Sequence, residues 1–296
     1  MKRHASMNRI YRLVWSPVHK VWIPVAEIAR GRSKGSSRKL FAAALSLTAA
    51  VGHTEPIGGQ ITSGSGSITQ SGDTTTINQT SQNLSANWQS FNVAPQETVN
   101  FQQPSVDAIA VNRIADTNGS QILGHLNANG QVYLINPNGI VFGKGAEVNV
   151  GGLVASTLDV DDASLDSNVK TFKGNGVGSV INKGNIHAAD GGSVALLGNK
   201  VGNEGVITAQ LGSVALGAGS AVTLTFNGSN LVKMQVDQST LDNLAENKQL
   251  IRADGGRVFM SAGARDTLLA SVVNNEGVIE ARTVENHEGV ITLMGG

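Results

Sequence analysis

Cysteine is absent from this chain of 296 residues, and proline and aromatic side chains are scarce, at 6 Pro and 4 % aromatics. The lack of cysteine excludes a disulfide scaffold, a thiolate zinc site, an iron–sulfur cluster and a thiol nucleophile. The scarcity of large rings argues against a core built on aromatic stacking. Because apolar residues still make up 40 % of the chain, the sequence predicts a core of Val, Ile, Leu and Ala, in one long domain or two ordinary ones.

Net charge is also absent, because 22 Lys and Arg balance 22 Asp and Glu, but the two signs are unequally distributed. Residues 1–52 hold ten basic side chains and one acid, Glu27, which leaves 12 basic and 21 acidic side chains in 53–296. An acidic body does not suit binding to a phosphate backbone. We therefore expect no nucleic-acid partner.

The apolar run at 40–52, LFAAALSLTAAVG, is too short for a comfortable membrane span. It follows Arg38 and Lys39 and ends in small residues. This pattern is typical of a secretory signal peptide, with cleavage expected near Gly52–His53. An uncleaved membrane anchor is the alternative.

The segment ahead of this run is basic and begins MNRIYRLVW at residues 7–15. Its word order resembles the extended signal-peptide region of very large secreted proteins of Gram-negative bacteria. The resemblance implies that residues 1–52 are an extended signal peptide, used for export and then removed, and it leaves Met1 and Met7 as alternative starts. From physical chemistry alone, an amphipathic surface segment is the alternative.

Two short words recur after residue 150, in a chain that contains 36 Gly. Asn-x-Gly-x-Ile occupies 182–186, 203–207 and 275–279, and Gly-x-Val/Ile-x-Leu/Met begins at 192, 212, 256 and 289. A spacing of 20 or 21 residues between copies is typical of one coil of a parallel β-helix, where each side chain stacks on its equivalent one coil away. We expect Gly at tight corners and Asn bonding to its neighbours along the stack. A β-sandwich or propeller is the rival fold, and a short helix is expected near Leu241–Leu250.

A different block, 53–150, precedes the repeats and contains Trp88, Phe91 and the run Asn136-Pro137-Asn138-Gly139-Ile140. That run predicts a turn between two strands, because Pro sets φ at the first central position and Asn-Gly accepts the positive φ that follows. A solenoid needs a cap at its open end. We therefore interpret 53–150 as an N-terminal cap that also carries the secretion signal, and 151–296 as β-helix repeats that end in mid-repeat, as in a truncated chain.

In their order along the chain, these sequence motifs are similar to those of the filamentous-haemagglutinin N-terminal domain, the secretion domain of two-partner secretion exoproteins. The similarity runs from about Gly59 to Ala281 and includes GGLVASTL at 151–158. It implies an all-β fold, a right-handed parallel β-helix (solenoid) with an N-terminal β cap, preceded by the signal region. A second family signature, Asn-Pro-Asn-Leu, is absent, which points to the subgroup of high-molecular-weight adhesins and haemagglutinins.

The resemblance also implies a route and partners. The general secretory translocase would export the chain, signal peptidase would cleave it, and an outer-membrane β-barrel transporter with periplasmic docking domains would pass it unfolded to the cell surface. Adhesion to a host-cell receptor or glycan is the expected role there. We expect transporter recognition at nine residues, unless the turn among them is only structural: Trp88, Phe91, Asn112, Arg113, Asn136, Pro137, Asn138, Gly139 and Ile140.

No catalytic, cofactor-binding or metal site is predicted. The six histidines show neither HxH nor HxxxH spacing, and no Gly-x-Ser-x-Gly elbow occurs. The acidic run LDVDDASLD at 158–166 lacks the glycine of an EF-hand loop, so we expect a solvated loop there. A secreted β-helical polysaccharide lyase or hydrolase is the enzymatic alternative, although the basic residues among the repeats form no recurring Asp/Arg pair.

Overall fold

In the computed structural model the described residues are 11–16, 21–26, 55–238, 243–263 and 272–295, in two units, Met1–Ala49 and Ala50–Gly296. In the first unit β1 (Tyr11–Ser16) pairs antiparallel with β2 (Val21–Ala26), and Trp15 lies opposite Trp22. The predicted cleavage position and the apolar run of the membrane-anchor alternative lie outside the described residues.

The second unit consists of short strands and, in its described part, one turn of 3-10 helix at Asp162–Ser164. Its strands are β3 (Gln60–Ser63), β4 (Gly66–Ser71), β5 (Thr74–Gln79), β6 (Asn83–Trp88), β7 (Thr98–Gln102), β8 (Ile109–Ile114), β9 (Ser120–Ile122), β10 (His125–Ala128), β11 (Gln131–Ile135), β12 (Ile140–Phe142), β13 (Glu147–Val150), β14 (Gly152–Ser156), β15 (Asp159–Val160), β16 (Val169–Lys173), β17 (Ser179–Asn182), β18 (Asn185–Ala188), β19 (Ser193–Gly198), β20 (Lys200–Asn203), β21 (Val206–Ala209), β22 (Ser213–Ala218), β23 (Ala221–Asn227), β24 (Asn230–Gln238), β25 (Leu244–Asn247), β26 (Leu250–Arg252), β27 (Arg257–Ala262), β28 (Val272–Asn275), β29 (Val278–Glu280) and β30 (Val290–Gly295).

The chain visits three sheets in turn, and each visit to all three makes one coil. Sheet 1 has the order β29-β26-β21-β18-β13-β10-β7-β5-β4, sheet 2 the order β3-β6-β8-β11-β14-β19-β22-β27-β30, and sheet 3 the order β28-β25-β20-β17-β12-β9. From β5 onward every neighbouring pair in these sheets is parallel. The predicted all-β, parallel β-helix is therefore confirmed.

The interior of the coils is a stack of aliphatic side chains. Successive coils place equivalent residues in register, so one interior column of sheet 1 is almost fully buried and consists of Val99, Leu126, Val148, Ile186, Ile207 and Ile251. Burying each such side chain contributes about 1.5–3 kcal/mol. The core is thus built from Val, Ile and Leu, as the composition predicted.

The antiparallel cap is shorter than the predicted block 53–150. β3 pairs antiparallel with β6 and β4 with β5, so the cap covers the ends of sheets 2 and 1 with the segment 60–71. Parallel pairing already begins with β5 on β7 and β6 on β8. The predicted boundary at residue 150 marks no structural division, because β13 and β14 belong to the same coil and pair with coils on both sides of it.

A ladder of asparagines runs along the ends of the sheet 3 strands, and three of its four members, Asn182, Asn203 and Asn275, belong to the Asn-x-Gly words. The side-chain amide of Asn182 donates to Asn203, Asn203 to Asn247, and Asn247 to Asn275, at 2.8, 2.9 and 2.8 Å. The Oδ1 atoms of Asn182 and Asn203 also accept the backbone N–H of the glycine two residues later. Asparagine bonding along the stack is therefore confirmed, and at Asn182 and Asn203 a glycine follows at the bend that the asparagine closes.

The central strands of sheet 2 are buried on both faces, because a fourth sheet covers their outer side. β15 and β16 leave the coil between sheets 2 and 3, β23 and β24 leave two coils later at the same corner, and they join antiparallel in the order β15-β16-β23-β24. This sheet 4 encloses a second core with outward side chains of sheet 2, in which the rings of Tyr133 and Phe172 lie 6.0 Å apart. Complete burial of Tyr133 raises the pKa of its phenol.

The helix predicted near Leu241–Leu250 is wrong. Within its described part, 243–250, the chain forms β25 and the start of β26, and β25 pairs in parallel with β20. Buried and less buried residues alternate along β25, with Ala245 and Asn247 inside. Burial along this segment has the period of two of a strand rather than the period of 3.6 of a helix, because the coils on either side supply strand partners.

Candidate recognition site

Eight of the nine predicted residues lie on the sheet 2 strands of three successive coils or in the segments that follow them, and Ile140 begins β12 of sheet 3. In register, Asn112 of β8 faces Ala86 of β6 and Leu134 of β11, and Arg113 faces Ile135. Trp88 ends β6, and the turn at 136–139 follows β11. The stacking of coils therefore brings together residues that are separated by up to 52 positions in the chain.

Trp88, Phe91 and Asn112 form a buried cluster. The indole Nε1–H of Trp88 donates to Oδ1 of Asn112 at 2.9 Å, and the rings of Trp88 and Phe91 meet edge to face with centroids 5.1 Å apart. The amide nitrogen of Asn112 donates to the carbonyl oxygens of Ala110 and Tyr133, at 3.1 and 3.4 Å. These three side chains therefore have an internal role in the folded domain.

The run Asn136-Pro137-Asn138-Gly139 is a β-turn between β11 and β12, as predicted. The backbone N–H of Gly139 donates to the carbonyl of Asn136 at 2.9 Å, and the Asn136 side chain accepts the N–H of Asn138. Gly139 has a φ of +107°, a conformation that favours glycine. Asn136 is fully buried and also donates to Ser120 Oγ and to the carbonyl of Asn118.

The turn is covered from the following coil by the glycine-rich segment 174–178. The N–H of Gly178 donates to the carbonyl of Pro137 at 3.2 Å. A Cβ on Gly178 would lie 2.3 Å from the backbone carbon of Asn138. Only glycine allows the two backbones to approach this closely, so Gly178 and Gly176, whose Cβ would lie 3.0 Å from the carbonyl oxygen of Pro137, serve packing against the turn.

Arg113 connects the stacked coils to the acidic segment that contains β15, the first strand of sheet 4. Its guanidinium contacts Asp159 and Asp162, each at 2.8 Å, and donates to the carbonyl of Val160 at 2.6 Å. Burial opposes the charged form of Arg113, but hydrogen bonds and charges from Asp162 and Asp159 outweigh it, and the pKa of Arg113 is raised. Asp159, Asp161 and Asp166 are exposed, as expected of a solvated loop, but two carboxylates of the acidic run also form ion pairs that the sequence did not predict.

Replacing Arg113 by methionine is expected to destabilise the domain by about 1–2 kcal/mol, a value reduced because the site is partly exposed. The change keeps the aliphatic stem but removes three charge-assisted contacts. Urea unfolding measures the loss, which should shrink at high salt because the carboxylates are partly solvent-exposed. Arg257→Met is the matched control, because within the described residues Arg257 has no ion pair. Equal losses in the two variants would contradict the role of Arg113.

In the folded domain most of the nine residues are inaccessible. Exposed positions are Pro137 and Asn138, and Arg113 is partly exposed. The remaining six are buried: Trp88, Phe91, Asn112, Asn136, Gly139 and Ile140. The structure thus groups the predicted residues in space but presents few of them on the surface.

Among the described residues, no group of three or more His, Asp or Glu side chains is placed to hold a metal ion. No helix in that same part of the chain is long and apolar enough to cross a membrane. The Asp/Arg cluster at Arg113 is saturated by its own ion pairs and by the carbonyl of Val160.

Residue-level reasoning on the sequence missed Asp159 and Asp162 as partners of Arg113 and missed sheet 4 altogether. One available signal was the residue pattern of the central sheet 2 strands. β14, β19 and β22 carry small or apolar residues at nearly every position. Strands covered on both faces read as continuous apolar runs, whereas half-exposed strands alternate. That signal predicts a cover but not the residues that supply it.

A capped parallel β-helix, in a chain that opens with a basic export-type segment, defines a class of secreted solenoid proteins. Residues 53–296 match the family model of the TPS secretion domain, and residues 7–53 match that of the Extended Signal Peptide of Type V secretion system. The chain therefore belongs to the TPS secretion domain family of two-partner secretion exoproteins. Its route is export through the periplasm to the cell surface of a Gram-negative bacterium, and the predicted extended signal peptide is confirmed by the family match at residues 7–53.

Known proteins similar to this chain agree with this assignment. Two relatives called "Heme/hemopexin-binding protein", both from Haemophilus influenzae, are 36 % identical over 248 residues and 37 % identical over 245 residues. These matches cover 80 % and 75 % of this chain but 27 % and 26 % of the relatives. The crystal structure of the HMW1 secretion domain from Haemophilus influenzae is 32 % identical, with a TM-score of 0.72, over 80 % of this chain and 62 % of that one. The chain thus spans about a quarter of the length of the curated relatives it matches.

Proposed function

We propose that the outer-membrane transporter recognises this domain before it folds. In this proposal the periplasmic docking domains of the transporter bind the segment 88–140 as an extended chain, and the β-helix forms only after passage. Folding outside the cell then makes the passage one-way. The proposal concerns the recognition step and its residues, within the secretion function that the family defines.

The burial of six of the nine candidate residues is the observation that carries the proposal. Asn112 and Asn136 are fully buried in the folded domain and have partners within it. A transporter that bound the folded state would reach only Pro137, Asn138 and part of Arg113 in this set. In an extended chain every one of these side chains and the backbone edge are available for strand addition.

The architecture supports folding after passage. No disulfide can lock a folded form in the periplasm, because the chain contains no cysteine. Each coil gains most of its buried surface from its neighbours, so partial chains have little stability of their own. The second core adds to this effect, because β16 finds its partner β23 only when the coils up to residue 227 are available.

Binding of unfolded and folded chains to the isolated docking domains tests the proposal. The mature chain, diluted from urea onto immobilised docking domains, is expected to bind at least about tenfold more tightly than the refolded chain. Trp88 is the single tryptophan after residue 52, so its fluorescence reports when the domain folds and is released. Equal binding by the folded chain would contradict the proposal.

Two asparagine variants separate recognition from folding. Asn136→Ala removes a buried amide of the turn, and Asn182→Ala removes a buried amide of the asparagine ladder. Both variants should therefore lower the yield of secreted protein. Only Asn136→Ala should weaken binding of the unfolded chain, because Asn182 lies outside the candidate segment. If both variants bind like the parent while unfolded, the turn is structural and its recognition role is refuted.

At the cell surface we propose a non-enzymatic role in attachment. Some acidic and basic groups of the described surface pair with each other, as in the ion pairs of Lys183 with Glu204 and of Lys248 with Glu246. A lyase or hydrolase would need an acid and a base left free in a cleft. Incubating the secreted chain with polysaccharides and measuring new reducing ends tests this, and any turnover would refute the proposal.

The relatives named for heme and hemopexin are far longer, so ligand binding named for them is not assigned to this chain.

A further inference from the structure

The outer face of sheet 1 carries a two-column array of amide side chains. Asn100, Asn127 and Asn149 are in register on three successive coils. Gln102 and Asn129 lie two residues further along the chain than Asn100 and Asn127, at the ends of the same strands. These amides line an open groove of about 500 Å³.

From this array we infer a binding site for a neutral, linear polysaccharide. Each amide offers both donors and an acceptor, which is the chemistry that pairs with the hydroxyl groups of a sugar. No charged side chain lines the groove. The nearest ionisable side chains on these strands, His125 and Glu147, face each other with Nδ1 and Oε2 3.3 Å apart. An acidic polysaccharide would therefore find no cation in the groove to neutralise it.

Part of the array is held in place by bonds that leave capacity for a ligand. Asn127 donates to Asn100 at 3.1 Å, and Asn129 forms a reciprocal pair with the backbone of Gln103, at 2.7 Å in both directions. Within the described chain, the side chains of Asn149 and Gln102 have no hydrogen-bond partner. Fixed amides lose little freedom on binding, which favours association.

The repeat of the coils selects an extended ligand. Equivalent amides recur at the spacing of neighbouring strands, about 4.8 Å, so a linear polymer laid along the stack meets successive residues of one column. All aromatic side chains of the described part of 55–295 are buried. A single sugar therefore gains no ring stacking, and the site depends on several hydrogen bonds at once, as a polymer supplies.

Titration calorimetry of the mature secreted chain with cellohexaose, maltohexaose and chitohexaose tests the site, with polygalacturonate as the acidic comparison. At least one neutral hexamer should bind, and Asn149→Leu should lower its affinity about tenfold. Asn185→Leu is the matched control, because Asn185 is an exposed asparagine on the same sheet face one coil beyond the groove. The affinity of the Asn185→Leu variant for the same hexamer should stay within twofold of that of the parent.

Three results would overturn the site: no binding of any neutral hexamer, equal losses in the two variants, or binding of polygalacturonate alone. The inference deepens the attachment role proposed above and rests on display of the folded domain. Secretion of Asn149→Leu should equal that of the parent. Failure of the calorimetric test with normal secretion therefore removes the glycan site and leaves the recognition proposal intact.

Discussion

Replacing Gly212 by alanine is expected to destabilise the domain by at least about 4 kcal/mol, which belongs to the extreme tail of single substitutions. At this corner the carbonyl of Gly192 accepts the N–H of Ser213 from the next coil. A Cβ on Gly212 would lie 1.7 Å from that carbonyl oxygen. Close-packed backbones cannot yield by the required distance without parting two coils.

The same geometry recurs along the stack, with Gly256 placed against Gly212 as Gly212 is placed against Gly192. The change should therefore reduce secreted protein as well as its stability, because unfolded chains are lost before measurement. Gly145→Ala is the control, because a Cβ there meets its nearest atom at an ordinary 3.4 Å. A Gly212→Ala protein with near-parental urea unfolding would contradict the close contact.

Replacing Asn203 by alanine is expected to cost about 3–5 kcal/mol. Its amide donates to Asn247 and to the carbonyl of Leu250, and its oxygen accepts from Asn182 and from the N–H of Gly205. Alanine leaves these buried groups without partners and opens a cavity. A charge-free ladder of this kind is costly to interrupt, because neither neighbour can reach water.

Urea unfolding followed by two signals measures the effect of Asn203→Ala. Far-UV circular dichroism reports all coils, whereas Trp88 reports the first coils. In a solenoid with strong coupling between coils, both midpoints should fall together. Asn185→Ala, in the same repeat word but exposed, should change stability by no more than about 0.5 kcal/mol. A similar small change for Asn203→Ala would show that the ladder is not an energetic unit.

Several features of this fold can be predicted from the sequence because they repeat. The words Asn-x-Gly-x-Ile and Gly-x-Val-x-Leu recur at the length of one coil, and each word maps to one corner or one strand. The turn at Asn136–Gly139 was also predictable, since its residue types satisfy the turn by local bonds. The short helix near Leu241 was wrongly predicted because local spacing was weighed without the strand partners on neighbouring coils.

The candidate site was only half predictable. Aromatic and asparagine side chains marked the 88–140 segment as unusual, but not that Trp88 and Asn112 would bond each other in the interior. The partners of Arg113 could not be identified either, because Asp159 lies 46 positions away and belongs to no repeat. Such contacts depend on how many coils separate two residues and at which corner each residue leaves the stack.

What the sequence alone determined is therefore the coil: its length, its strand–turn order, its apolar interior and the glycine and asparagine that close its corners. Each of these follows from interactions with the next residue or the next repeat, which a periodic sequence records. Only the tertiary structure decided that β15–β16 and β23–β24 meet across an intervening coil and seal the outer face of sheet 2. The two insertions carry no period, and their pairing exists only once the stacking of coils has placed their corners side by side.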